Sequence, residues 1–487
     1  MKLGFEHTYA TLPARFYASI EPVKVSAPQT VIFNRELAAE LRLDPNLDDR
    51  QVAALFSGNE LAEDSTPIAL AYAGHQFGTF VPQLGDGRAV LLGEIRDNHG
   101  ILRDIQLKGS GRTPFSRGGD GRAAIGPMLR EYLISEAMHA LGIPTTRSLA
   151  VVTTGEQVYR TEILPGAVLT RVAASHIRVG TFQYFAVRGD QEALKELLDY
   201  VINRHYPEAR NADVPALAAL KAITARQAAL IADWMRVGFI HGVMNTDNMA
   251  LSGETIDYGP CAFMDRYDPQ TVFSSIDLGG RYAYTNQPGI AQWNLARLAE
   301  TLLPLIDANE TKSVELATEV VEDFVEQFET AFLAHMRRKI GLTSAEDGDA
   351  DLISALLAAM QKGQADFTLT FSNLSRAAES SNDASLYEIF NTPAEIDGWL
   401  KAWRARLVLD PQTSAERAAT MRLANPEFIP RNHRVEAALQ AATAGDMQPF
   451  HRLLSILQRP YDRQPDAAEY TQPPPPSEEK YKTFCGT

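Results

Sequence analysis

The chain changes its periodicity part-way along, and that change limits the folds open to it. Between about residues 66 and 160, short β-rich runs such as AVLLGEI (89–95) and DIQLKG (104–109) alternate with Gly-Asp-Gly turns, the pattern of a twisted antiparallel sheet. From about residue 190 the pattern turns helical. It is clearest where Val314, Ala317, Val320, Val321, Phe324, Val325, Phe328, Ala331 and Phe332 recur at three- and four-residue steps. A basic last turn, 337–339, and then Gly341 mark the stop of that helix. Sheet first and helices after predicts an α+β fold.

Composition narrows the function classes. With 487 residues there is room for two or three domains, and 45% hydrophobic residues supply enough apolar surface for a globular core. Lys and Arg number 46 against 61 Asp and Glu, a net charge of −15, which argues against a nucleic-acid partner because backbone binding draws on clustered cations. No apolar stretch reaches the roughly 18 residues of a membrane span. The start MKLGFEHTYA has the character of neither a signal nor a transit peptide, so a soluble, cytoplasmic protein with no membrane partner is expected. Two cysteines, Cys261 and Cys485, make neither a disulfide framework nor a C-x-x-C metal knuckle.

The chemistry is concentrated in residues 241–259, HGVMNTDNMALSGETIDYG. Laid on H-R-D-x-x-x-x-N followed by D-x-G, the loop places His241 and Asn248 at its ends, Asp257 in the triplet, and Val243 where a protein kinase has its catalytic aspartate. The asparagine and the triplet aspartate can hold Mg²⁺ against ATP phosphates, but the usual proton acceptor is missing. A chain of this kind is expected to bind nucleotide and to do something other than ordinary phosphorylation, or nothing chemical at all.

Upstream residues fit a phosphate site. Lys108 ends a strand-like run, and a helix-like segment starts near Pro127 and stops before Gly142 and Pro144. In kinases a strand lysine holds the phosphates and is oriented by a glutamate of the next helix. Glu131 and Glu136 stand about 140° apart on a helix, so only one can face Lys108, and periodicity does not choose between them. The pentapeptide GDGRA occurs at 85–89 and again at 119–123. Gly-rich turns offer backbone N–H groups to anions and an arginine adds a bidentate donor, although Asp-Gly also simply closes hairpins. Arg171 and Arg178 lie in an apolar stretch; were it helical, a seven-residue step would bring both to one face and one phosphate. His75 and His241 lack a second ligand at metal spacing and read as packed, hydrogen-bonded histidines.

Several blocks together resemble the selenoprotein O family of protein adenylyltransferases: YAGHQFG, QLGDGRAVLLGE, KGSGRTPFSRGGDGRA, ISEAMHALGIPTTRSLA, HGVMNTDNM, DYGP and GRYAYTNQP followed by WNLARLAE. The resemblance runs from about residue 5 to the C-terminus. It implies a two-lobed protein-kinase-like fold with a helical C-terminal extension and ATP bound in a flipped orientation. Residues 1–65 would be an N-terminal extension, 66–165 the sheet-rich nucleotide-binding lobe, and 166–300 the helical lobe with the catalytic loop and metal-binding triplet. The helical extension would take 301–460, and 461–487 would be a mobile Pro-rich tail carrying Cys485. Gly85, Gly87, Arg88, Lys108, Asp120, Gly121, Arg171, Arg178 and Asp257 match nucleotide-contacting positions, with Glu131 as the lysine's partner. Asn248 and Asp257 match the ligands of Mg²⁺, with Mn²⁺ the alternative metal, and Asp247 matches the proposed proton acceptor.

The implied activity is transfer of AMP from ATP to Ser, Thr or Tyr hydroxyls of other proteins, or of the enzyme itself, with a role in redox homeostasis. Two further readings stay open: a protein or small-molecule kinase with an unconventional base, and a non-catalytic ATP-binding scaffold. The resemblance also implies a regulatory disulfide between Cys261, four residues after Asp257, and Cys485 on the tail. The activation-segment cysteine of some relatives lies farther along, near 272–280, where this chain has none. The other reading of Cys261 is a small buried core residue.

Overall fold

The computed structural model describes residues 1–380, 382–475 and 481–483. Its first half is built on strands β1 (Tyr17–Ser19), β2 (Gln29–Phe33), β3 (Ile68–Leu70), β4 (Gly74–Gln76), β5 (Thr79–Val81), β6 (Ala89–Arg96), β7 (Leu102–Lys108), β8 (Ala123–Ala124), β9 (Arg147–Tyr159) and β10 (Ile163–Ala173). Eight of them form one sheet in the order β1-β3-β6-β7-β10-β9-β2, with β8 also on β10, while β4 and β5 make a separate hairpin. Every pairing in the large sheet is antiparallel.

Strand β6 reads AVLLGEI without polar alternation because both faces of the sheet are covered. On one face Val90, Leu92, Ile105 and Leu107 pack with Leu37, Val52 and Phe56 of helices α1 (Arg35–Glu40) and α2 (Asp49–Phe56). On the other, Leu91, Val151 and Leu169 share a core with Leu129, Tyr132 and Leu133 of helix α3 (Ile125–Ala140). The first sixty residues are therefore built into the sheet. They supply two of its strands and the helices that cover one face, and α2 is fixed by a reciprocal Asp48–Gln51 capping box.

Helices follow: α4 (Val179–Ala186), α5 (Gln191–His205), α6 (Pro215–Arg236), α7 (Gln287–Ile306) and α8 (Glu310–Lys339), with β11 (Phe239–Ile240) and β12 (Ala262–Phe263) paired between α6 and α7. Helix α8 buries a stripe of Ser313, Ala317, Val320 and Phe324, leaves Val314 and Val325 exposed, and ends before Gly341 at φ 80°. Among the described residues seven more α-helices follow: α9 (Asp349–Lys362), α10 (Phe367–Ser380), α11 (Ala384–Tyr387), α12 (Ala394–Leu409), α13 (Ser414–Ala424), α14 (Asn432–Thr443) and α15 (Gln448–Leu457). Among the described residues no helix is long and apolar enough to cross a membrane.

Two expectations change. The stretch holding Arg171 and Arg178 is not helical, because β10 pairs with β7 on one side and β9 on the other, so its backbone groups are spent on the sheet. Arg171 projects from that strand, and Arg178 is the residue just before α4. The described part of the tail is also docked rather than free. Thr483 N–H donates to Phe273 O (2.8 Å), Ser275 N–H donates to Thr483 O (2.9 Å), and Thr483 Oγ1 donates to Pro260 O (2.6 Å). Cys485 lies outside the described residues.

Candidate active site

Residues far apart in sequence meet between the sheet and the helices. Lys108, the last residue of β7, places Nζ 2.7 Å from Glu131 Oε2 on α3 and 3.1 Å from Asp257 Oδ1. Arg171 Nε donates to the other oxygen of Glu131, and its Nη2 donates to Asp257 Oδ1. Glu136, one and a half turns along α3, faces away and accepts from Arg147 (2.7 and 2.8 Å). Arg178 stacks its guanidinium on Tyr72 (4.4 Å) and approaches Asp86 Oδ1 at 3.5 Å and Asp257 Oδ2 at 3.8 Å. Both of those approaches are longer than a charge-assisted hydrogen bond, and Arg178 Nε, buried, has no partner.

Three cations thus converge on Asp257. Burial alone would raise its carboxyl, but Arg171, Lys108 and Arg178 outweigh that and hold it well below the usual carboxylate range. Glu131 behaves alike: burial opposes ionisation, and Arg171 and Lys108 overcome it. Burial, with Arg171 adding repulsion, pushes Lys108 below the ordinary lysine value against the pull of Glu131 and Asp257. The Asp257 side chain is 24% exposed while those of Glu131 and Arg171 are 2% and 3%, so the cluster opens outward at Asp257. Asp257 also holds φ at 64°, a left-handed conformation uncommon for a residue with a side chain.

The loop of residues 241–248 is held by side-chain contacts. His241 stacks on Trp234 and bonds Ile256 O through Nε2 (2.8 Å), which ties the loop to the residue before Asp257. Val243 is buried, and its carbonyl accepts from Asn248 Nδ2 (3.0 Å), leaving the Asn248 oxygen as the free end of that amide. Asp247 receives one bond, from Gln76 Nε2 on β4 (3.3 Å), while its Oδ1 is buried without a partner. Burial raises the Asp247 carboxyl to about 6. Gly74 makes room for it: a Cβ there would lie 2.5 Å from Asp247 Oδ1.

The donor set can be tested against a metal ion. Among the described residues no group of three His, Cys, Asp or Glu forms a protein cage. Asp257 and Asn248 offer hard oxygens, which suits an ion such as Mg²⁺ or Mn²⁺ that takes one or two protein ligands and completes its shell with phosphate and water. The residues fit such an ion and would not retain one alone.

Comparison with known proteins now decides the family. The family described as "Protein adenylyltransferase SelO" matches residues 1–458. A protein of Rhizobium meliloti (strain 1021) named "Protein nucleotidyltransferase YdiU" is 60% identical over 485 residues, 99% of each chain. Proteins of the same name from Rhodopseudomonas palustris (strain BisB5) and Bradyrhizobium sp. (strain BTAi1 / ATCC BAA-1182) are each 59% identical, over 99% of each chain. The chain belongs to the SelO family. As a member of it, the chain is a nucleotidyltransferase, and the kinase and scaffold readings are not favoured.

Within this SelO member the remaining candidate residues are placed unequally. Gly85 (φ 70°) and Gly87 lie under the loop that follows β7: a Cβ on Gly85 would meet the Phe115 ring at 2.3 Å, and one on Gly87 the Phe115 carbonyl at 2.9 Å. Arg88 is half-buried and near enough to Lys108 to disfavour its charge. Asp120 is not in the cluster; it pairs with Arg160 (2.7 and 3.0 Å) at the outer end of that loop. Gly121 packs against Gly111, whose carbonyl a Cβ would strike. Among the described residues Cys261 has no disulfide partner; it is fully buried, and burial pushes its thiol up to about 12, which suppresses thiolate chemistry in this conformation.

The sequence reading passed over Asp86, Tyr72, Gln76 and Asn245. Asp86 lies inside the first GDGRA and was visible only as a turn former, yet it accepts from Gln106 Nε2 (3.0 Å) and Leu70 N (3.1 Å) while facing Arg178. Tyr72 and Gln76 stand in the YAGHQFG block, and nothing local marks them as neighbours of Arg178 and Asp247.

Proposed function

We propose that this SelO member binds ATP in a two-lobed, protein-kinase-like cleft and transfers AMP to Ser, Thr or Tyr hydroxyls of proteins. The observation that carries the reading is the convergence of Lys108, Arg171 and Arg178 on Asp257 while Val243 takes the place of the kinase base. Such a cation cluster suits the β- and γ-phosphates, which leaves the α-phosphate towards the catalytic loop. The acceptor oxygen then attacks the α-phosphorus, the bond from that phosphorus to the β-bridging oxygen breaks, and pyrophosphate leaves with its charge held by the three cations.

The hydroxyl proton goes to Asp247. Its unpartnered Oδ1 and its carboxyl near 6 match what a general base needs at neutral pH: ionised, yet with appreciable proton affinity. Asp257 and Asn248 would hold Mg²⁺ or Mn²⁺, which when bound supplies charge neutralisation of the triphosphate. Glu131 keeps Lys108 and Arg171 aligned, and the loop that follows β7 packs its Phe115 over Gly85 and Gly87.

Parallel incubations with α-labelled and γ-labelled ATP test this reading. Label on protein from the α-position alone is the expected result. Label from the γ-position would make the chain a kinase, and label from neither, with ATP bound, would make it a scaffold.

A further inference from the structure

Beside Asp247 the surface carries a feature that nucleotide binding does not use. Residues 276–281 form a tight loop whose Asp277 carboxylate, buried, accepts from the backbone N–H groups of Arg281 (2.9 Å) and Tyr282 (2.8 Å). The loop is pinned, yet it presents Leu278 at 92% exposure and Ile276 at 55%. Isolated exposed apolar residues are ordinary, but two on one braced loop beside a catalytic cleft are a contact surface in want of a partner.

The next residue of note is Arg281. Its guanidinium stacks on Trp293 of α7 at 4.8 Å and meets no carboxylate within ion-pair distance among the described residues. Arg297, on the same indole at 5.0 Å, is different, since Glu300 neutralises it at 2.6 Å. Arg281 is thus held in place by an aromatic plane with its charge uncompensated, in a protein of net charge −15.

The β4–β5 hairpin connects this arginine to the reacting centre. Gln76 of that hairpin touches Asp247, and Gly78, two residues on and at most about 7 Å along the chain, lies against the Arg281 guanidinium, so near that a Cβ would sit 3.7 Å from it. The turn between the strands has φ of 51° at Phe77 and 84° at Gly78, so a bulky residue is held in a left-handed conformation at the tip. Phe77 is kept there by Asn245 Oδ1, which accepts from Phe77 N (3.0 Å) and from Tyr282 OH (2.6 Å). Hairpin, catalytic loop and the 276–282 segment are locked together at Asn245.

We propose that this surface selects the acceptor: Arg281, braced on Trp293, binds an acidic side chain near the hydroxyl that receives AMP, and Leu278 and Ile276 take an apolar residue beyond it. The hairpin carries both contacts, Gln76 on Asp247 and Gly78 against Arg281, so the acidic residue and the hydroxyl belong to one short segment of the acceptor. The inference rests on the adenylyltransfer reading and names the substrate class for it, an extended acidic segment of protein.

The test uses the full chain with Mg²⁺, α-labelled ATP and a set of peptides carrying one Ser or Tyr, with Asp, Asn or Lys at one of the four positions to either side. The Asp peptide should show a KM about tenfold below that of the Lys peptide, with similar kcat. Arg281→Glu should reverse the order, and Leu278→Ser, on a fully exposed side chain, should raise KM about threefold for peptides with an apolar flank. A role for Arg281 in packing alone cannot reverse a charge preference. Equal labelling of all charge variants by the unsubstituted protein, or an unchanged order in Arg281→Glu, overturns the inference and leaves adenylyltransfer standing. No α-label on any peptide or protein, with ATP bound, overturns both.

Discussion

Two of the buried ionic clusters among the described residues differ in the lengths of their ion pairs. Arg431, at the start of α14, makes a bidentate pair with Asp366 (2.6 and 3.0 Å) and bonds to Asp265 (2.6 Å) and Thr471 O (2.9 Å). One guanidinium with two carboxylates and a carbonyl, all at full hydrogen-bond length, ties the segment after β12 to α10 and the tail. The cluster at Asp257 instead gathers three cations, one of which stands 3.8 Å off, and exposes its central carboxylate. The short pairs at Arg431 hold parts together, although its Nε too is buried without a partner; the longer contacts of Arg178 leave capacity for a further anion.

The contrast can be broken by mutation. Asp257→Ala or Lys108→Ala should lower AMP transfer by about three orders of magnitude or more, because each removes a group aligned on developing charge. Asp257→Ala strands Lys108, Arg171 and Arg178 and should also melt below the parent, so activity is compared where each variant is folded; full activity in either would show that the site is elsewhere. Arg431→Ala should lose stability without losing the site. It strands Asp366 and Asp265 in the interior and should cost about 3 kcal/mol in denaturant unfolding, with ATP affinity retained wherever the protein is folded.

Asp247 sharpens the comparison because it combines both roles. Asp247→Asn should reduce kcat about a hundredfold. The rate of the parent should rise with pH through about 6 as the carboxyl ionises, and the variant should lose that limb. The stability sign is the reverse. A folded pKa raised above the unfolded value means stability present at low pH and lost as pH rises through about 6, so Asp247→Asn should melt above the parent at pH 7.5 and match it near pH 4. Melting curves at both values check this. The smallest effect is expected at Cys261: with its thiol buried, Cys261→Ser should change reduced-state activity less than twofold, and the folded protein should resist alkylation there.

Much of the frame was legible because it is local. A strand ending at Lys108, a helix with start and stop signals around Pro127 and Gly142, and the long amphipathic helix before Gly341 follow from periods and breakers within a few residues. Where a local rule was carried too far, long-range pairing overrode it. Seven residues separate Arg171 from Arg178, and a helix would have aligned them, but β10 is flanked by two strands and the pair reaches Asp257 from a strand and a helix start instead.

By itself the sequence determined which chemistry is at hand: a loop without the kinase base, a strand lysine, and motifs that place the chain in its family. The tertiary structure decided which groups share charge. Glu131 rather than Glu136 meets Lys108 because α3 turns one face to the sheet, and Asp86 joins the site only because β3 and β7 bring Leu70 and Gln106 to its carboxylate. The first sixty residues enter the sheet by pairing across more than a hundred positions, Phe33 with Ala150 for example. Periodicity reports which face of an element is apolar; it carries no record of the partner that face or that charge will find.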